Sequence, residues 1–365
     1  MKTELKIHAP DGLTRPFLIA GPCSAESETQ VLTTARAIAE INKAIIFRAG
    51  IWKPRTRPNS FEGMGAPALD WMGKVKAETG LRTATEVANA HHAEECLKHG
   101  IDVLWIGART TVNPFSVQEI ADALKGCSVT VLVKNPVTPD LQLWLGALER
   151  VSRAGISRLA AVHRGFHPSG LIPFRNDPMW ELVIELRTCV PDLPVICDPS
   201  HICGSTELIP YIAQKALDLD MHGLMIETHC LPSSALSDAK QQITPGRLKR
   251  LLGTLVYRSS KPPDAAGMDE LEQLREAIDK TDHSLMQLLL NRMLIAERIG
   301  NYKKENGMTI LQAERWNNLL RDRTDNASLM GLNGEFIRAV FQLIHRESVR
   351  RQADAMHVQS EELTC

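Results

Sequence analysis

The sequence predicts an α/β chain: a (β/α)8 TIM barrel followed by a small all-α helical domain. Three observations carry this. Between residues 17 and 258, eight short apolar and often β-branched runs alternate with helical stretches. A segment rich in Ser, Pro, Gly and Asp, RSSKPPDAAG (258–267), then breaks the pattern. Beyond it no strand signal remains. Near-continuous apolar strands alternating with helices indicate a parallel sheet covered on its outer face. Eight such units in about 250 residues match a closed barrel, whereas open doubly wound sheets usually have fewer strands.

The strand runs, in order, are FLIAGP (17–22), IIFRAG (45–50), LRTATE (81–86), VLWIGA (103–108), VTVLVK (129–134), RLAAVHRG (158–165), PVICDPS (194–200) and GLMIET (223–228). Helical periodicity separates them, as in TQVLTTARAIAEIN (29–42), VQEIADALKG (117–126) and STELIPYIAQKALDLD (205–220). The barrel therefore spans 1–257, and 258–267 is a linker. Over 268–307, Leu271, Leu274, Ile278, Leu285, Leu289, Ala296 and Ile299 recur at spacings of three, four and seven. That predicts one helix of about 36 residues, ended by Asn306-Gly307. Two shorter helices follow, at about 311–325 and 333–356, so the helical domain spans 268–356 and 357–365 is a tail. A long helix with two short ones leaves much apolar surface uncovered, which predicts a homodimer through this domain.

Composition narrows the function. The 365 residues are 44% hydrophobic and 23% charged, as in ordinary globular proteins. Lys and Arg number 42 against 43 Asp and Glu, a net charge of -1. That argues against nucleic-acid or membrane partners, which call for a basic excess. No apolar run approaches a membrane span, and MKTELKIHAPDG lacks a signal-peptide core, so a cytoplasmic location is expected. The eight cysteines lack the spacing of a disulfide framework.

Active sites of such barrels lie at the C-terminal ends of the strands. Those ends carry Cys23, Arg48 with Lys53, Glu86, Arg109, Lys134, His163 with Arg164, Asp198 with His201, and Glu227 followed by Asp238. One set, Cys23, His201, Glu227 and Asp238, mixes thiolate, imidazole and carboxylates. Such ligands suit a divalent Mn, Fe, Co or Zn ion better than Mg or Ca. A second set, Arg48, Lys53, Arg109, Lys134 and Arg164, would repel itself unless an anion sat among its members. Arg forks and Lys point charges suit phosphate and carboxylate. Singly, each residue has a plainer role as a buried thiol, a structural imidazole or a rim charge. Their coincidence points to a metal-dependent enzyme of a small, multiply anionic substrate. A local zinc site of Cys197, His201 and Cys203 is the weaker alternative, because Cys197 lies within a strand. His91 and His92 read as surface.

GPCS, KPRT, IGAR, VLVK, HRG, DPSH and the ALSDA-QQ segment, in this order over residues 17–256, resemble the type I 3-deoxy-D-arabino-heptulosonate-7-phosphate (DAHP) synthases. The likeness is to the compact subgroup that includes the 3-deoxy-octulosonate-8-phosphate synthases. The resemblance implies condensation of phosphoenolpyruvate with erythrose 4-phosphate in the shikimate pathway. It implies that Cys23, His201, Glu227 and Asp238 hold the metal, and that Arg48, Lys53, Arg109, Lys134 and Arg164 bind phosphoenolpyruvate. Pro54, Arg55 and Thr56 would contact erythrose 4-phosphate, and Glu86 would lie near the attacking water. KPRT and the appended helical domain argue against an octulosonate synthase.

In the helical domain, Arg292 and Lys303 fall about 20° apart on one face and Arg275 roughly 100° away. Ser348 and Gln352 share a face at i, i+4. LREAID, LLLNR, IGNYKK and the FQLI-RESV--Q segment resemble the all-helical chorismate mutases over 268–356. That resemblance implies rearrangement of chorismate to prephenate in a pocket lined by Arg292, Lys303, Arg315, Ser348 and Gln352, with Arg275 from the partner chain. Lys303 and Gln352 would donate to the ether oxygen. Two positions depart: Gln312 and Trp316 stand where the family often has an Asp and a Glu. Gln312 can still bond a substrate hydroxyl, while Trp316 cannot accept as a carboxylate does. A helical domain that only senses chorismate or prephenate is the alternative. In either case feedback inhibition of the barrel through this domain is expected.

Overall fold

The computed structural model describes residues 16–53, 61–168, 170, 172–258 and 265–357. Pro54, Arg55 and Thr56, most of the expected linker and the last eight residues lie outside the described residues. The chain divides into two compact units, Met1–Ser260 and Lys261–Cys365.

The first unit is the expected barrel. Its strands are β1 (Phe17–Gly21), β2 (Ile46–Arg48), β3 (Thr83–Val87), β4 (Val103–Ile106), β5 (Thr130–Lys134), β6 (Leu159–His163), β7 (Val195–Cys197) and β8 (Gly223–Glu227). They pair in parallel in sequence order, and β8 closes on β1 with Phe17–Gly21 in register with Gly223–Glu227. Several outer helices start at side-chain caps: Ser27 accepts from Gln30 N, Asn113 from Phe115 N, and Asp140 from Leu143 N. Such caps satisfy backbone donors that a helix start leaves free.

Because strand side chains alternate, the barrel has two apolar layers. Ile19, Ile46, Ala84, Trp105, Leu132, Val162, Ile196 and Met225 fill the interior. Val131, Val133, Leu159, Ala161, Val195 and Cys197 pack outward against the helices. This alternation places the chemistry. Arg48, Glu86, Lys134, Arg164, Asp198 and Glu227 each stand two residues beyond an inward-facing residue. They continue the interior column at its C-terminal end. His163 and Cys197 have the opposite parity and face the helix layer.

The second unit has a long helix (Ala265–Glu305), a middle helix (Ala313–Leu329) and a last helix (Gly334–His357). The long helix has 41 residues, more than expected, because it starts at Ala265 within the expected linker. Alanine is the strongest helix former, so Ala265-Ala266 extends the helix at its start. Within one chain this unit buries little apolar surface, chiefly Met293, Ala296, Leu320 and Ala327. Leu274, Ile278, Leu285 and Leu288 of the long helix are more than half exposed. Among the described residues no helix is long and apolar enough to cross a membrane.

Candidate active site

The C-terminal mouth of the barrel is a cavity of about 280 Å³. Lys53, Glu86, Arg109, Lys134, Arg164, His201 and Asp238 line it, from seven different strand-to-helix connections or strand ends. Arg48 and Glu227 lie fully buried beneath it and pair at 3.2 Å (Arg48 Nη2 to Glu227 Oε1). The Arg48 guanidinium also sits 4.7 Å above the Trp105 ring, and Lys134 Nζ is 5.7 Å from the same ring. An aromatic face in the barrel interior thus helps hold two cations out of water.

Cys23, Glu227 and Asp238 converge so that one ligand atom of each lies within 4.8 Å of the others. Cys23 Sγ is 3.5 Å from Asp238 Oδ2. Asp238 takes a left-handed φ of 46°, a conformation Asp tolerates better than most residues. His201 stands beside this group, with Nε2 3.8 Å from Glu227 Oε1. Its Nδ1 lies 2.8 Å from Asp198 Oδ2, and Asp198 Oδ1 accepts from the His201 backbone N–H. A carboxylate on one imidazole nitrogen orients the ring and leaves the other free for a metal. Sulfur, imidazole and carboxylate donors gathered this way fit a divalent transition metal. No comparable grouping forms around Cys197 among the described residues, and its side chain is wholly in the outer apolar layer.

Electrostatics follow from burial and opposing charge. Burial and the neighbouring Glu227 push the Cys23 thiol up to about 11. Burial alone would raise the Asp238 carboxyl, but His201, Arg175 and Lys53 reverse that and bring it to about 2. Asp198 and Glu227 are likewise held below the usual carboxylate range despite burial, Asp198 by His201 and Lys134 and Glu227 by His201 and Arg48. Burial, Arg175 and Arg109 lower Arg164 to about 10. Burial also lowers Lys134, partly offset by Asp198, whose Oδ2 accepts from Lys134 Nζ at 2.8 Å. Cations crowded enough to depress one another mark a place for an anion.

Glu86 is fixed by Trp105 Nε1, which donates to its Oε2 at 3.2 Å. A Cβ on Gly107 would stand 2.0 Å from Glu86 Oε1, so only glycine admits that carboxylate here. Three contributors escaped the sequence reading. Arg175 lines the cavity and donates to Asp238 Oδ1 (3.2 Å) and Gln241 Oε1 (2.7 Å). Asn176 accepts from Arg164 Nη1 (2.7 Å) and donates to the His201 carbonyl (2.6 Å). Gln241 Nε2 donates to Glu227 Oε2 at 2.7 Å. Arg175 and Asn176 lie in a loop and Gln241 in a single 3-10 turn, all well past the strand ends, where no periodicity marks them. His163 does not reach the cavity: it packs between Phe166 and Trp180, and burial lowers it to about 3. His91 is exposed, but His92 is half-buried and stacks on Trp52 at 4.0 Å.

In the helical unit, Arg292 Nη1 donates to Ser348 Oγ, and Lys303 Nζ donates to Gln352 Oε1 at 3.0 Å. The spacing of eleven between Arg292 and Lys303 thus meets the spacing of four between Ser348 and Gln352. The two helices approach closely at Gly300, where a Cβ would fall 2.9 Å from Gln352 Cα. Arg315 is exposed in the first turn of the middle helix, and Gln312 is its N-cap position. Arg275 is exposed and pairs with Glu272 of its own helix at 3.5 Å. Seventeen residues of helix, roughly 25 Å, separate it from Arg292, so it cannot join this pocket within one chain.

A closed (β/α)8 barrel with a thiol, carboxylates and stacked cations at one mouth defines a TIM-barrel enzyme. The chain belongs to the DAHP synthetase I family, whose profile matches residues 4–260, and a chorismate mutase type II profile matches residues 274–353. It is thus a bifunctional enzyme with a DAHP synthase domain and a chorismate mutase domain. A phospho-2-dehydro-3-deoxyheptonate aldolase of Thermotoga maritima is 28% identical over 251 residues, covering 69% of this chain and 71% of that protein. A 2-dehydro-3-deoxyphosphooctonate aldolase of Paraburkholderia xenovorans is 31% identical over 269 residues, covering 67% of this chain and 91% of that protein. The crystal structure of the Thermotoga maritima DAHP synthase superposes with a TM-score of 0.58 at 25% identity, covering 72% of this chain and 70% of that one.

Proposed function

We propose that the barrel condenses phosphoenolpyruvate with erythrose 4-phosphate to give DAHP and phosphate. The observation that supports this most is the ring of Arg109, Lys134 and Arg164, backed by Arg48, around one cavity beside Cys23, Glu227 and Asp238. The cations hold the phosphate and carboxylate of phosphoenolpyruvate and so orient its enol carbon toward the aldehyde. The enol carbon bonds to the aldehyde carbon, water adds at C2, and phosphate leaves by C–O cleavage. Glu86, steadied by Trp105, holds the attacking water and takes its proton. Lys53 lies 3.2 Å from Cys23 Sγ, between the metal-ligand group and the anion site. Pro54, Arg55 and Thr56 are assigned to erythrose 4-phosphate. A divalent ion, Mn first among Mn, Fe, Co and Zn, would be held by Cys23, His201, Glu227 and Asp238 and would supply Lewis-acid polarisation of the aldehyde.

The likeness to octulosonate-phosphate aldolases makes the aldose the point to test. Turnover should be found with erythrose 4-phosphate and be at least about tenfold lower with arabinose 5-phosphate. Preference for arabinose 5-phosphate would overturn this assignment.

We further propose that the helical unit converts chorismate to prephenate as a homodimer. Arg292 and Lys303 clamp the carboxylates, Lys303 and Gln352 donate to the breaking ether bond, Ser348 holds Arg292, and Arg315 joins the pocket. The exposed Leu274, Ile278, Leu285 and Leu288 support a partner helix that brings its own Arg275. The deciding experiment is chorismate consumption with prephenate identified as product. Binding without turnover would leave the unit a sensor, a reading that Trp316 favours. Chorismate or prephenate bound here inhibits the barrel in this proposal, and both reactions run in the cytoplasm, where their soluble anionic substrates are held.

A further inference from the structure

We infer that His345 is a substrate-binding residue of the mutase pocket, set in its plane by Trp316, and that it takes the ring hydroxyl of chorismate. This rests on the mutase reading of the helical unit. His345, Ser348 and Gln352 are spaced three and seven along the last helix, which keeps them within about 60° of one face. Ser348 and Gln352 are the partners of Arg292 and Lys303. The His345 imidazole is half-buried beside the same two cations. Trp316 of the middle helix covers it, with ring centroids 3.8 Å apart and planes within 10°.

Chorismate offers two carboxylates, an ether oxygen and one ring hydroxyl. Arg292 and Lys303 answer the anionic groups, and Gln352 assists at the ether. The hydroxyl needs a partner of its own that can donate or accept a hydrogen bond. The stacked indole covers the flat face of the imidazole and leaves its nitrogen-bearing edge for such a bond. Among the described residues no hydrogen bond to either ring nitrogen is found. Burial and the two neighbouring cations also lower the His345 pKa, which favours the neutral ring. Trp316 then acts as a positioning residue where a carboxylate acceptor is missing.

Full-length wild type, His345→Ala, His345→Gln, Trp316→Ala and the double alanine variant test this with chorismate kinetics. His345→Ala should raise KM roughly tenfold, the size of one lost neutral hydrogen bond, with a smaller change in kcat. His345→Gln should recover most of it. Trp316→Ala should raise KM in the same direction, with no further rise in the double variant, because both act on one bond. Trp316 is the only tryptophan beyond residue 180, so the difference in fluorescence between wild type and Trp316→Phe isolates its signal. Prephenate should change that signal in wild type and do so at roughly tenfold higher concentration in His345→Ala. Unchanged KM and unchanged prephenate response in a folded His345→Ala would overturn the inference and leave the mutase reading intact. Absence of chorismate turnover in wild type that still binds prephenate would overturn the catalytic reading alone, and the fluorescence titration would still decide the role of His345.

Discussion

Lys53 Nζ lies 3.2 Å from Cys23 Sγ, thirty residues apart in the chain, at the ends of adjacent strand connections. Burial and the coulombic influence of Glu227 raise this thiol to about 11. Burial opposes the Lys53 ammonium too, but Cys23, Glu86 and Glu227 more than offset that and raise it. Cys23→Ala should remove a metal donor and one of the groups that raise Lys53. The expected outcome is loss of bound metal, measured by elemental analysis, and a fall in synthase kcat of about a hundredfold or more. Full metal content and wild-type rate would remove Cys23 from the ligand set.

Asp198 Oδ2 accepts from Lys134 Nζ at 2.8 Å and also lies 2.8 Å from His201 Nδ1. Both partners of the ion pair are buried. Asp198→Ala leaves Lys134 without its counter-charge and should cost about 3 kcal/mol or more of stability in urea denaturation. It should also weaken metal binding, because His201 loses its brace. A stability change below about 1 kcal/mol would mean that Lys134 finds another partner.

His163 gives the chain an acid-sensitive element outside the active site. Its folded pKa of about 3 lies below the ordinary value of 6.5. The unfolded chain therefore binds a proton that the folded chain refuses between those pH values. Its contribution is fully present above pH 6.5 and is lost as pH falls toward 3, at up to about 1.4 kcal/mol per pH unit. His163→Phe, which keeps a ring against Phe166 and Trp180, should flatten that acid limb in denaturation measured from pH 7 to pH 4. An unchanged slope would place the acid sensitivity elsewhere.

Gly107→Ala separates fold from chemistry. The added methyl would meet Glu86 Oε1 at 2.0 Å, and the far end of that side chain can swing away. Stability should change by less than about 1 kcal/mol, while synthase kcat falls roughly tenfold or more as Glu86 leaves Trp105. Steady-state kinetics beside thermal unfolding will show whether the two effects part.

Arg292→Ala should abolish chorismate turnover and, with it, any inhibition of the barrel by prephenate. Deleting residues 258–365 should have the same effect on inhibition. Synthase assays with and without prephenate read both. Inhibition that survives in either variant would locate the effector site in the barrel.

Much of the architecture is determined by the sequence alone. Seven strands fall inside the predicted apolar runs and β3 overruns its own by one residue, Val87, while the three helices of the second unit follow the predicted periodicity. Alternation along a strand and apolar spacing along a helix are local properties, set by neighbours within a turn or two. The same alternation makes Arg48, Glu86, Lys134, Arg164 and Glu227 legible as interior-facing strand ends. Tertiary structure alone decided which of these touch. Barrel closure brings Cys23 N to Gln242 Oε1 across 219 residues, and places Arg175 on Asp238 across 63. Packing in the barrel also distinguished His201, braced by Asp198, from His163, enclosed by Phe166 and Trp180, and packing within the helical unit laid Trp316 on His345. Such contacts depend on how distant segments are oriented when the chain closes, and no local pattern of residues encodes that.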